Sequence, residues 1–226
     1  MSGQNIGFSS KNEVTAKDVR NRLLAVAEKL FSERGFADTS VRDLTAEANC
    51  NIAAVNYHFG GKENLYIEVW RRHLLLLRDN QIASIDKVMS KNQDAPPLED
   101  LLKSFAETFV GPLVDEAGSS RFLKLMMREM LDGHLPPNTF VDEVIKPTLG
   151  AMQKALLKTC SGLDEPQVAL IISSIVGQLI HAVRIRTMFG QNDRGDLPFS
   201  DLAKMVDHII KFSAAGIRAC ANEKRK

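Results

Sequence analysis

Residues 40–59, SVRDLTAEANCNIAAVNYHF, leave this chain little freedom in what it can fold into. Ser40 and Asp43 stand in S-x-x-D spacing, a capping-box variant that starts a helix near Val41. Val41, Leu44 and Ala48 then recur at i, i+3 and i+7 and give that helix one apolar face. Asn49-Cys50-Asn51 interrupts the period. Asn tolerates the left-handed backbone of a sharp turn, and Asn51 is also a good N-cap for the next helix. That second short helix buries Ile52, Val55 and Phe59, again at i, i+3 and i+7.

The other face of the second helix carries Ala53, Ala54, Asn56, Tyr57 and His58. Two alanines let a helix approach a groove floor closely. Asn can pair with adenine through two hydrogen bonds, and Tyr and His can reach phosphate or base edges. An ordinary helical hairpin accounts for the apolar face but not for this small and polar one. Upstream, Thr15 and Asp18 form a T-x-x-D start. Val19, Leu23, Val26, Ala27, Leu30 and Phe31 form a helical stripe, and Gly35 is a natural stop. The three helices make a compact head. Downstream, Gly60-Gly61 breaks the chain and Lys62-Glu63 opens a long helix. The helix dipole disfavours a Lys in a first turn, but a phosphate bound at the free N–H groups there would suit it.

Residues 15–65 resemble the N-terminal domain of the TetR/AcrR family of bacterial transcriptional regulators. Ala27, Leu30, Phe31, Gly35, Phe36, Thr39, Ser40, Val41, Leu44, Ala48, Tyr57, Phe59, Lys62, Glu63 and Leu65 carry the resemblance. Residues 51–63 are similar to a CerR-like branch of that family. The family usually has Gly where this chain has Asn49, and often an aromatic where it has Asn56. The second difference changes what can be read in a groove. The resemblance implies a homodimer that binds a palindromic double-stranded DNA operator as a repressor and is released by a small, mostly apolar effector. Ser40, Arg42, Asn51, Ala53, Ala54, Asn56, Tyr57, His58 and Lys62 are the expected DNA contacts.

Composition narrows the alternatives. The formal net charge is +1. Within residues 15–62, Lys17, Arg20, Arg22, Lys29, Arg34, Arg42 and Lys62 face Asp18, Glu28, Glu33, Asp38, Asp43 and Glu47. Such a near-balanced head disfavours a nonspecific nucleic-acid coat. With 226 residues, 44% of them hydrophobic, a core larger than the head can form. Cys50, Cys160 and Cys220 are odd in number and scattered, which suits a reducing cytoplasm. No run reaches the ~18 uninterrupted apolar residues of a membrane span. No G-x-S-x-G, Gly-rich phosphate loop, H-E-x-x-H or metal-ligand spacing is present, so an enzyme, a cofactor and a metal are not expected.

The expected fold is all-α with about nine helices. Residues 1–14 are a flexible arm and 15–62 the helix-turn-helix head. Residues 63–222 form a helical effector-binding and dimerisation domain, and 223–226 a basic tail. The segments 166–188 and 199–218 are apolar over more than one face. Ile171, Ile175, Leu179, Val183, Met205, Ile209 and Ile217 are therefore expected against a second copy. Met and flat aromatic side chains suit a broad apolar ligand. Trp70, Leu74, Phe105, Phe109 and Met126 are candidates for that pocket, with Met127, Met130, His134 and Phe140. A non-regulatory, architectural helix-turn-helix protein is the alternative, although it would not need so large a helical domain.

Overall fold

The computed structural model describes the chain outside residues 1–6, 92–94, 115–119, 137, 139, 190–200 and 224–226. The described residues form nine α-helices and no strand: α1 (Gly7–Arg34), α2 (Val41–Glu47), α3 (Ala53–Phe59), α4 (Lys62–Lys91), α5 (Leu98–Val110), α6 (Arg121–Asp132), α7 (Lys146–Thr159), α8 (Glu165–Phe189) and α9 (Leu202–Glu223). A 3-10 turn follows α5 and a π-helical turn precedes α7. The first helix starts at Gly7, well before the Thr15 start and inside the stretch expected to be a flexible arm. Nothing in residues 8–14 breaks a helix, and their polar character hides the periodicity that marks one.

The helix ends follow from capping chemistry. The amide of Asp43 donates to the Ser40 hydroxyl (3.1 Å), and the amide of Ser40 donates to the Asp43 carboxylate (3.0 Å), closing a capping box on α2. The Ser40 hydroxyl also donates to that carboxylate (2.5 Å), and this bond, with the one from the Ser40 amide, holds the Asp43 carboxyl below its ordinary range. Asn49 takes the left-handed conformation, φ +48°, in the turn after α2. Pro97 stands at the start of α5. The Ser120 hydroxyl accepts from the amide of Leu123 at the start of α6 (3.1 Å). Asp164 accepts from the Gln167 amide at 2.9 Å, and Gln167 returns the bond at 3.1 Å, which opens α8. The start expected at Pro198 or Phe199, the loop 190–197 and the basic tail lie largely outside the described residues. Asp201 caps α9 through the amides of Ala203 and Lys204.

The chain divides into two compact units. One comprises the residues up to His73 together with Lys124–Pro136. The other comprises Leu74–Leu123 and Pro137–Lys226. The boundary therefore falls inside α4 instead of at residue 62, and most of α6 belongs to the first unit. The reason is chemical. Arg128 donates to the Ser32 carbonyl (3.2 Å) and the Glu33 carbonyl (2.6 Å), near the end of α1. The Tyr66 hydroxyl donates to Glu129 at 2.8 Å, and the same carboxylate accepts from the Leu135 amide at 2.6 Å. Burial pushes the Tyr66 phenol well above its ordinary range.

The core of the second unit is built by α5, α7, α8 and α9. Phe105 and Phe109 stack within it, 6.3 Å apart. By length and a mean hydropathy of 1.8, α8 is apolar enough to cross a membrane, but only about a third of that window is buried, 33%. Its apolar excess divides between a side facing this core and an exposed side. The close approach of the chain to the end of α9 requires Gly162: a Cβ there would lie 1.9 Å from the Ala221 carbonyl oxygen.

Candidate nucleic-acid interface

α3 is held by its buried side chains, Val55 (0% exposed) and Phe59 (8%), against α1 and α2. Ile52, expected on this buried face, is 53% exposed. It stands at the N-cap of α3, with backbone angles already helical (φ −56°, ψ −31°). Asn51 supplies the cap instead, accepting from the Ala53 amide at 2.8 Å. Gly60 ends α3 in the left-handed conformation, φ +76°.

The outer face is open. Ala53, Asn56 and Tyr57 are exposed, the last by 81%, while Ala54 and His58 are half-buried. The Tyr57 ring stands edge-on to His58 with centroids 4.9 Å apart. Arg42 is exposed near the start of α2. This helix presents two small residues, one amide and one phenol to solvent on a rigid support. That is the set of donors, acceptors and clearances a groove-reading helix requires.

Two expected DNA contacts have structural work of their own. The Lys62 ammonium donates to the carbonyls of Phe36 and Thr39, both at 3.0 Å, and lies 4.1 Å from the Phe36 ring centroid. It fixes the α1–α2 connection to α4, which is a sufficient reason for a Lys in a first turn without any phosphate. Ser40 is committed to the capping box. Neighbouring cations are similarly engaged. Arg20 pairs with Glu68 at 2.9 Å and lies over Phe59, Arg22 donates to the Ala48 carbonyl at 3.2 Å, and Lys29 pairs with Glu47 at 2.8 Å. Sequence periodicity misses these roles because each joins residues far apart in the chain.

The residues expected to hold an effector are divided between the two units. Trp70, Met126, Met127, Met130 and His134 belong to the first unit. The Phe36 ring packs on His134 (4.9 Å), and Tyr66 edges onto Trp70 (6.4 Å). Phe105, Phe109 and Phe140 are buried in the second unit. Neither these residues nor Leu74 line the five grooves of about 290 to 870 Å³ found among the described residues of that unit. The residues expected at a dimer interface differ in exposure. Leu179 and Val183 are fully buried in the single chain; Ile175, Ile209 and Ile217 are at most 7% exposed but border the grooves between α8 and α9, with the half-buried Ile171 and Met205. Leu170 (70% exposed) and Phe212 (66%) point outward on the same two helices.

An outward-facing short helix, braced by two others and followed by a larger helical unit, defines a regulator of the helix-turn-helix class. Comparison with known proteins gives the same assignment. Residues 23–69 match the model of the bacterial regulatory proteins, tetR family, and residues 98–217 match the C-terminal domain of the HTH-type transcriptional dual regulator CecR. The chain belongs to the TetR family of bacterial transcriptional regulators, which are not enzymes, and its C-terminal domain is of the CecR type. The HTH-type transcriptional regulator AcrR of Shigella flexneri is 33% identical over 63 residues, 28% of this chain and 29% of that protein. CecR of the same species is 39% identical over 54 residues, 24% of each chain. The chain thus matches less than a third of the length of these relatives. The fold also matches a TetR-family transcriptional regulator from Streptomyces coelicolor (TM-score 0.65, 17% identity, covering 89% of this chain and 97% of that one). Fatty acid degradation regulator FadR from Bacillus halodurans is similar too (TM-score 0.59, 18% identity, covering 87% and 98%).

Proposed function

We propose that this protein is a cytoplasmic, ligand-responsive repressor that binds a palindromic operator as a homodimer, with α3 in the major groove. The outward-facing Ala53, Ala54, Asn56 and Tyr57, on a helix whose other face is buried, carry this reading. Asn56 reads a base, and Arg42, Tyr57 and His58 position the helix against phosphates. The second copy covers the outer sides of α8 and α9 around Leu170 and Phe212. A two-fold axis there supplies two heads for half-sites about 34–36 Å apart.

The effector is small and mostly apolar, and the helical unit holds it. The best-sized site is a groove of about 870 Å³ with Ala106, Val110, Val206 and Ile210 on its floor and Lys103, Glu107 and Arg186 at its edge. The effector lowers operator affinity by binding the DNA-incompetent state better, since equal affinity for both states shifts nothing. Gel retardation with genomic fragments, with sequencing of the retained sites, tests the central reading. Two-fold symmetric sites are expected, and so is their release by an apolar ligand. Salt-labile retention of any duplex would replace this reading with an architectural one.

A further inference from the structure

We infer that the homodimer is pH-gated: protonation of His181 and His208 in the groove between α8 and α9 separates the two copies. This inference rests on the homodimer reading above. The groove has a volume of about 750 Å³, with Gly177, Ala182, Met205 and Ile209 among its lining residues. His181 comes from α8 and His208 from α9, and both are exposed in the single chain. The groove continues into a second one of about 290 Å³, which shares Ser174 and Gln178 and is bordered by Leu170 and Phe212. The second copy that covers those two apolar side chains therefore also covers both imidazoles.

The charges around them decide the sign. Among the described residues, Lys204 is the one permanently charged side chain lining the histidine groove, and no carboxylate lines it. Within a turn of the two histidines lie Arg184 on α8, and Asp207 and Lys211 on α9. Asp207 is paired with Lys211 (2.7 Å), and Lys204 is paired with Asp201 (3.6 Å). The acids are thus already matched to lysines, and α5, packed on the other side, brings Glu99, paired with Arg218 of α9 (2.6 Å), and Lys103 and Glu107, which line a different groove. Two-fold symmetry brings the same set from the second copy. A neutral imidazole can be buried there, but a protonated one loses water, and the carboxylates near it are already paired with lysines. The dimer therefore binds fewer protons than two separated chains. Its stability is therefore present at pH 8 and falls as protons are added.

Sedimentation velocity on the full chain from pH 8 to pH 5.5, with helicity followed by circular dichroism, tests this. The dimer dissociation constant is expected to rise tenfold or more at constant helicity, and less than threefold in His181→Gln/His208→Gln. A wild-type constant that stays within threefold, or the same rise in the double variant, overturns the gate and leaves the homodimer standing. A wild-type monomer at pH 8 and micromolar concentration overturns the homodimer itself, and the gate with it.

Discussion

Asn56 and Lys62 separate two kinds of contribution that one sequence window cannot tell apart. Asn56 is exposed on α3 and its side chain is available to a base edge. Asn56→Ala is expected to cost ~1–3 kcal/mol on the cognate operator and to relax preference at one position per half-site, with the melting temperature of the protein unchanged. Equal affinity for sites varied at every position would sink the assignment. Lys62 behaves differently because two of its ammonium protons are spent on the Phe36 and Thr39 carbonyls. Lys62→Met removes this donor from both carbonyls, leaving Phe36 with only the long bond from the Thr39 amide (3.4 Å), and should destabilise the protein by about 2 kcal/mol in urea unfolding. If Lys62 served only as a phosphate contact, the substitution would leave the unfolding midpoint alone and reduce the salt dependence of DNA binding by about one unit of slope.

At the level of the elements, α2 depends on its first turn. A helix of seven residues has few internal hydrogen bonds and relies on its cap. Asp43 is held below the ordinary carboxylate range mainly by the Ser40 hydroxyl and the Ser40 amide. A group whose folded pKa is depressed stabilises the fold above its unfolded pKa, and that stability disappears as pH falls through the folded value. The contribution of Asp43 is therefore intact at neutral pH and fades below about pH 4. Asp43→Asn removes this titration, so the difference in urea midpoint between wild type and variant should shrink as pH drops from 5 to 3. A difference that stays constant over that range would show that the carboxylate charge is irrelevant to the cap. Much of this region is legible in the sequence because caps, turns and short apolar periods are local. Ser40, Asp43, Asn49, Val55 and Phe59 all declare themselves within a few neighbours. α1 is legible from Thr15 onward, where the Leu and Phe stripe begins, but not at Gly7, where no stripe exists. Sequence does not place Trp70, Met126 and His134, because an aromatic or Met says only that it will be covered. Whether α4 and α6 serve the head or the helical unit depends on Arg128, Glu129 and Tyr66 finding partners about 60 to 100 residues away.

For the whole molecule, the decisive question is which side of α8 and α9 belongs to the single chain and which to the proposed dimer. The sequence shows an excess of apolar residues on both helices but gives no means of dividing it, since both sides read as periodic. Burial makes the division. Ile175 at 3% exposure and Leu179 at 0% lie in the core, while Leu170 and Phe212 lie outside. The two groups should therefore respond oppositely to an introduced charge. Ile175→Glu places a carboxylate in the core of one chain, where an unpaired charge costs several kcal/mol, and should unfold it or leave it in aggregates. Leu170→Glu/Phe212→Glu keeps each chain folded, because both side chains are already in water, but sets four carboxylates facing one another in the assembly. Light scattering should report a folded monomer of about 25 kDa where the wild type gives twice that mass. Operator affinity should fall by orders of magnitude, since the two heads no longer bind as one ligand. A double variant that remains dimeric would mean the copies meet elsewhere, and the operator half-site spacing would then have to be explained by a different two-fold axis.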